Sequence, residues 1–204
     1  HICLSGDTKI KLADGRSLTI PELIREDNEG KVNYTYGYDL NLGKVCIEKI
    51  TNPRITRSSS KLVEVFLDNG RSFKCTPDHS CLTRDGEYVQ AKDLVEGISL
   101  MPSIFSTDEK DYDMIYDPGS GNYIYCHYLS DEYNERYGLL RDTSEDIYGE
   151  GSNRSSFVRH HEDFDKHNNN PFNVSRYSYL SHSWIHSHSS EWQSIRAKEA
   201  WKSE

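Results

Sequence analysis

No two cysteines in this 204-residue chain stand at CxxC spacing, and the five present (Cys3, Cys46, Cys75, Cys81, Cys126) are odd in number. That argues against a zinc ribbon and against a disulfide framework, and fits a reducing cytoplasmic compartment. Long apolar runs are missing too. None approaches the roughly 20 residues that cross a bilayer, and no basic start followed by an apolar stretch marks a secretion signal. The expectation is therefore a chain with no membrane partner. A basic surplus is also lacking: the net charge is −9. A whole-chain charge of that sign argues against nucleic-acid binding, but it is unevenly spread. Residues 1–102 carry 14 Lys/Arg against 15 Asp/Glu, residues 103–150 carry 3 against 12, and residues 151–204 carry 7 against 6. The acidity belongs to the middle segment. It reads as a solvated linker or, alternatively, as a charge that steers a basic partner.

What is present reads as all-β over residues 1–102. Runs of β-formers are separated by the turn signals Asp14-Gly15, Asn41-Leu42-Gly43, Asp68-Asn69-Gly70 and Asp85-Gly86, the spacing of a sandwich or barrel. Pro21 to Arg25 reads as a single helical turn opened by proline. Met101-Pro102 makes a plausible boundary. Beyond it, Tyr123–Tyr128 reads as a strand, Leu129–Tyr137 as a helix capped by Ser130, 142–153 as a polar loop and Glu191–Trp201 as a helix. Six of the nine histidines fall between His160 and His188.

The centre of the first part is KLVEVFLDNGRSFKCTPDHSCLT, residues 61–83. A hairpin there delivers Thr76 and His79 three residues apart at a strand end, with Pro77 stiffening the backbone between them. Taken singly, Cys3 reads as a small buried hydrophobe, and Thr76 and His79 as turn residues. Together, CLSGDTKIKLADG followed some sixty residues later by NGRSFKCTPDHSCLT resembles the N-terminal splicing half of an intein, of the hedgehog/intein autoprocessing (Hint) type. The resemblance covers roughly the first hundred residues. It implies a mostly β, horseshoe-like domain at 1–102, with His1 and Ile2 as upstream flank. Cys3 would attack the Ile2 carbonyl to give a thioester, His79 would protonate the departing nitrogen, and Thr76 would hold the scissile bond and its developing oxyanion. No cofactor is needed for that step. Cys46, Cys75, Cys81 and Cys126 are expected to be structural. The family's terminal His-Asn pair and last two strands have no counterpart before Glu204, so the domain is expected to be incomplete at its C-terminus. A C-terminal intein fragment would complete it, in trans or on a truncated segment, between flanking extein polypeptides.

The second constellation is VRHHEDFDKHNNNPFNVSRYSYLSHSWIHSH, residues 158–188. It resembles the His-Asn-His (HNH) homing endonucleases that reside inside inteins. The resemblance implies an α+β, ββα-metal domain over 103–204, with an acidic lead-in at 103–150. Hydrolysis of a phosphodiester needs a base and a cation. His161 would be the base, His160 and His182 would hold a divalent metal (Mg²⁺ or similar), and Asn173 would anchor the hairpin and orient His161. Asp163 would tie the local turn. His167, His186 and His188 are set aside, with His186 an alternative ligand. The bland reading is a solvated His-rich loop. Protein splicing coupled to cleavage of double-stranded DNA, in a bacterial, phage or archaeal cytoplasm, is the leading expectation. The alternatives are a cleavage-only or split-intein assembly module with a degenerate nuclease, and a nuclease on a β scaffold.

Overall fold

The computed structural model describes residues 3–57, 59–141 and 157–190. The first part is a series of antiparallel ribbons. β1 (Lys9–Lys11) pairs with β2 (Ser17–Thr19), and β3 (Tyr34–Asp39) with β4 (Lys44–Lys49). β5 (Val63–Phe66) pairs with β6 (Ser72–Cys75), and β7 (Ser80–Leu82) with β8 (Tyr88–Gln90). Isolated bridges Leu4–Cys75, Leu12–Thr35 and Thr83–Leu100 stitch the ribbons together. The expected helical turn at Pro21 is longer, α1 (Ile20–Asn28), because Thr19 and Glu22 close a capping box. Glu26 on its inner face accepts from the two terminal guanidinium nitrogens of Arg16, at 2.5 and 3.1 Å.

Over residues 103–141 the acidic lead-in is not a solvated linker. β9 (Phe105–Thr107), β10 (Asp113–Asp117) and β11 (Asn122–Tyr125) form a three-stranded antiparallel sheet in the order β11-β10-β9. Several of its carboxylates are spent on backbone donors. Asp117 is 2 % exposed and accepts from Val45 N at 3.0 Å and Ser120 N at 3.0 Å. Asp108 accepts from Lys110 N and Tyr112 N. Charge here closes turns.

The expected strand at 123–128 ends early. Cys126 opens α2 (Cys126–Arg136), so Cys126, His127 and Tyr128 are helical, and Ser130 lies buried inside the helix rather than capping it. After position 156, β12 (Phe157–His161) pairs with β13 (Val174–Ser178), followed by α3 (Tyr179–Ser187). The expected 142–153 loop and Glu191–Trp201 helix lie outside the described residues.

Packing crosses position 102 without a break. Ala13, Tyr34, Val45 and Ile47 from the first part bury against Ile115, Cys126, Leu129 and Tyr133 from the second. Gly119 meets the β3–β4 turn so closely that a Cβ would lie 1.9 Å from Gly43 O. α2 is the beam between the two parts. Leu129 and Tyr133 face the first part, Lys44 reaches Glu132 at 2.6 Å, and Ser130, Asp131 and Asn134 grip the β12–β13 hairpin. Among the described residues no helix is long and apolar enough to cross a membrane.

Candidate functional site

Two sites emerge. At the first, β6 ends at Cys75, and Thr76 continues alongside the chain's start. Thr76 N donates to Cys3 O at 2.9 Å, and Cys3 N donates to Thr76 Oγ1 at 3.2 Å. The second bond matters because Cys3 N is the nitrogen of the Ile2–Cys3 peptide. Thr76 is completely buried and therefore fixed in place. The expected contact with the Ile2 carbonyl lies outside the described residues; what the structure shows is a hydroxyl on the amide nitrogen. Cys3 itself is half-buried, and its Sγ meets Thr56 Oγ1. His79 is brought round by the turn at Pro77, its N–H donating to Thr76 O at 2.9 Å. Its Nδ1 is buried without a hydrogen-bond partner, and burial pushes its pKa below the usual histidine range against the opposing pull of Asp78. A neutral imidazole with an unspent ring nitrogen therefore sits one turn from Thr76. The Thr76 hydroxyl, with Arg57 3.6 Å away, holds the Asp78 carboxyl low.

The second site follows from strand alternation. On β12, His160 and His161 point to opposite faces. His160 turns toward α3, where His182 and His186 stand one helical turn apart, and ring nitrogens of all three lie within 4.8 Å of one another. His182 Nε2 and His186 Nε2 are 3.2 Å apart. His160 is 2 % exposed and its Nε2 is buried without a partner. Burial, then its histidine neighbours, pushes the pKa of His160 down to about 3 and that of His182 to about 4. Three imidazoles converging on one point, one with an orphaned nitrogen, could hold a metal ion. His160 and His182 are the expected members. His186 is the addition, and its i, i+4 spacing from His182 places both on one helix face.

His161 faces the other way, into a buried cluster with His127 (ring centroids 5.4 Å apart) and Tyr112 (6.1 Å). Burial lowers its pKa as well. The expectation that Asn173 orients it is not what the contacts show. Asn173 Nδ2 donates to Asp163 Oδ1 at 2.8 Å and Asn168 O at 2.7 Å, and its Oδ1 accepts from Asp163 N, which ties the 162–173 loop together. The side chain on His161 is Asn169, with Oδ1 3.1 Å from Nε2. His167 pairs with Asp113 at 3.0 Å and Asp111 at 3.3 Å, and His188 stacks on Trp184. Sequence reasoning missed Asn169 because three consecutive asparagines offer no periodicity that separates architecture from contact.

The chain matches no protein-family model. It is 38 % identical over 192 residues to the DNA gyrase B protein of Synechocystis sp. (strain ATCC 27184 / PCC 6803 / Kazusa), covering 90 % of this chain and 17 % of that protein. It is 38 % identical over 88 residues to the replication factor C small subunit of Methanocaldococcus jannaschii, covering 41 % of this chain and 4 % of the relative. It is 36 % identical over 108 residues to elongation factor 2 of Methanopyrus kandleri, covering 44 % and 8 %. The chain thus spans a small fraction of the relatives it matches. Among solved structures it is similar to a Ssp DnaB mini-intein variant (TM-score 0.41, 23 % identity, 54 % of this chain and 68 % of the other). It is also similar to a DnaB intein from Synechocystis sp. PCC 6803 (TM-score 0.39, 22 % identity, 61 % and 94 %).

Proposed function

We propose that this chain is the N-terminal part of an intein carrying an HNH-type nuclease, and that it performs the first step of protein splicing at Ile2–Cys3. The observation that carries the reading is the reciprocal pair of bonds between Cys3 and Thr76, which seats the nitrogen of the candidate scissile amide on a buried hydroxyl. Matches to small shares of gyrase, a replication factor and an elongation factor support it, since a segment inserted into unlike hosts produces that pattern.

In this mechanism Cys3 Sγ attacks the Ile2 carbonyl carbon, the C–N bond breaks, and a thioester links Ile2 to Sγ. The thiol proton ends on the Cys3 nitrogen, by way of His79. An amide resists attack because of its resonance, so proton delivery to the departing nitrogen carries much of the catalysis. Splicing beyond the thioester requires a C-terminal intein fragment and a downstream extein. Apolar side chains such as Phe66 on β5, 77 % exposed, are available to a completing fragment.

The second activity is cleavage of double-stranded DNA. His160, His182 and His186 would hold one divalent ion. Three nitrogen donors suit a Zn²⁺-, Co²⁺- or Ni²⁺-like ion better than the expected Mg²⁺, which prefers oxygen. When bound, the ion supplies a Lewis acid for a phosphodiester oxygen. His161 would take the proton of the attacking water.

Intact-mass analysis of the chain with a reporter upstream of His1, with and without dithiothreitol, tests the first activity. Thiol-triggered release of the reporter through Ile2, abolished in Cys3→Ala and reduced in His79→Ala, is expected. No release even with an added C-terminal fragment would sink the splicing assignment. Plasmid nicking, with and without metal, tests the second; release without nicking leaves the cleavage-only alternative.

A further inference from the structure

We infer that Asn169 is a positioning residue for His161, holding the imidazole in the tautomer protonated at Nε2 so that Nδ1 carries the free lone pair. The inference deepens the nuclease reading and rests on it.

The argument is one of donors and acceptors. Asn169 is completely buried. Its Nδ2 is surrounded by acceptors alone: His167 O at 3.3 Å, Asp113 Oδ2 at 3.4 Å and Lys166 O at 3.5 Å. The amide nitrogen must therefore face that group, which commits Oδ1 to the other side, 3.1 Å from His161 Nε2. An amide oxygen only accepts, so Nε2 must donate. A neutral imidazole with Nε2–H has its lone pair on Nδ1, the nitrogen left to accept a proton from water.

Asn169 is itself immobilised from three directions. Its backbone N donates to Ala13 O at 2.7 Å, in the β1–β2 turn of the first part. Its carbonyl accepts from Ser130 Oγ on α2. The neighbouring His167 backbone presses on Gly15, where a Cβ would lie 3.0 Å from His167 O and φ is +86°. The orienting group of the nuclease hairpin thus depends on the splicing part of the chain.

The experiment is long-range ¹H–¹⁵N correlation NMR on the uniformly ¹⁵N-labelled full chain at pH 8, with the His161 signals assigned by their loss in His161→Gln. A single tautomer with protonated Nε2 and bare Nδ1 is expected in the native chain, giving way to a mixture in Asn169→Ala. An Nδ1-protonated or averaged native signal overturns the inference, and that result needs no variant to fold. An unchanged signal in Asn169→Ala overturns it equally. Nicking measured in parallel should fall about 10- to 100-fold in Asn169→Ala, the usual cost of losing an orienting partner. A native chain that holds the tautomer yet nicks nothing overturns the underlying nuclease reading instead.

Discussion

Replacing Leu129 by Ala tests whether the two parts of the chain share one core. Leu129 is 1 % exposed on α2, between β4 of the first part and β10 of the second. The substitution removes three carbons, about 2.4 kcal/mol at about 0.8 kcal/mol each. The cavity left behind adds to this unless the helix can collapse into it. It cannot move freely: Asp131 is tied to Arg159 at 2.7 Å and Arg176 at 2.5 Å, Asn134 to Pro171 O at 2.8 Å, and Lys44 to Glu132 at 2.6 Å. The expected loss is therefore about 3–4 kcal/mol, a fall in Tm of roughly 6–15 °C for a chain of this size. Urea unfolding gives the total, and native-state hydrogen exchange locates it. Amides of Ile47 in β4 and Tyr177 in β13 should lose protection together. A loss below about 1 kcal/mol, or one confined to β12–β13 with β4 unchanged, would refute the shared core.

Three further outcomes are expected. Zn²⁺ or Co²⁺ at 100 times its Kd should stabilise the folded chain by about 2.7 kcal/mol; His186→Ala should abolish the gain and His188→Ala should leave it, as read by thermal melts with and without chelator. His127, whose pKa burial lowers from 6.5 to about 3, is kept neutral in the folded chain while the unfolded chain takes up a proton. Stability should thus hold above about pH 6.5 and fall toward pH 3 by up to about 1.4 kcal/mol per unit from this group; an acid slope unchanged in His127→Phe would contradict this. Gly119→Ala should destabilise by at least about 1–3 kcal/mol, because its Cβ would lie 1.9 Å from Gly43 O and backbone must shift; a neutral melt would show that the turn yields.

The sequence by itself determined the ribbons and their turns. Asp14-Gly15, Asp68-Asn69-Gly70 and Asp85-Gly86 encode hairpins locally, since positive φ at each glycine is a property of a few adjacent residues. It also put Thr76 and His79 at one strand end, visible in residues 61–83, whereas the bonds that seat Cys3 against Thr76 join residues 73 apart and belong to the fold. Of the three converging histidines, the sequence pointed to His160 and His182 and left His186 aside, although its i, i+4 spacing from His182 is written there. Only the tertiary structure decided what the acidic middle does. A carboxylate such as Asp117 looks identical on paper whether it faces water or caps Val45 N from 72 residues away. Only packing separated Asn169 from its neighbours Asn168 and Asn170, because its fate is set by acceptors on Asp113 and the β1–β2 turn and by a donor on α2. Burial and long-range hydrogen bonding are many-body properties of the folded chain, and no window along the sequence contains them.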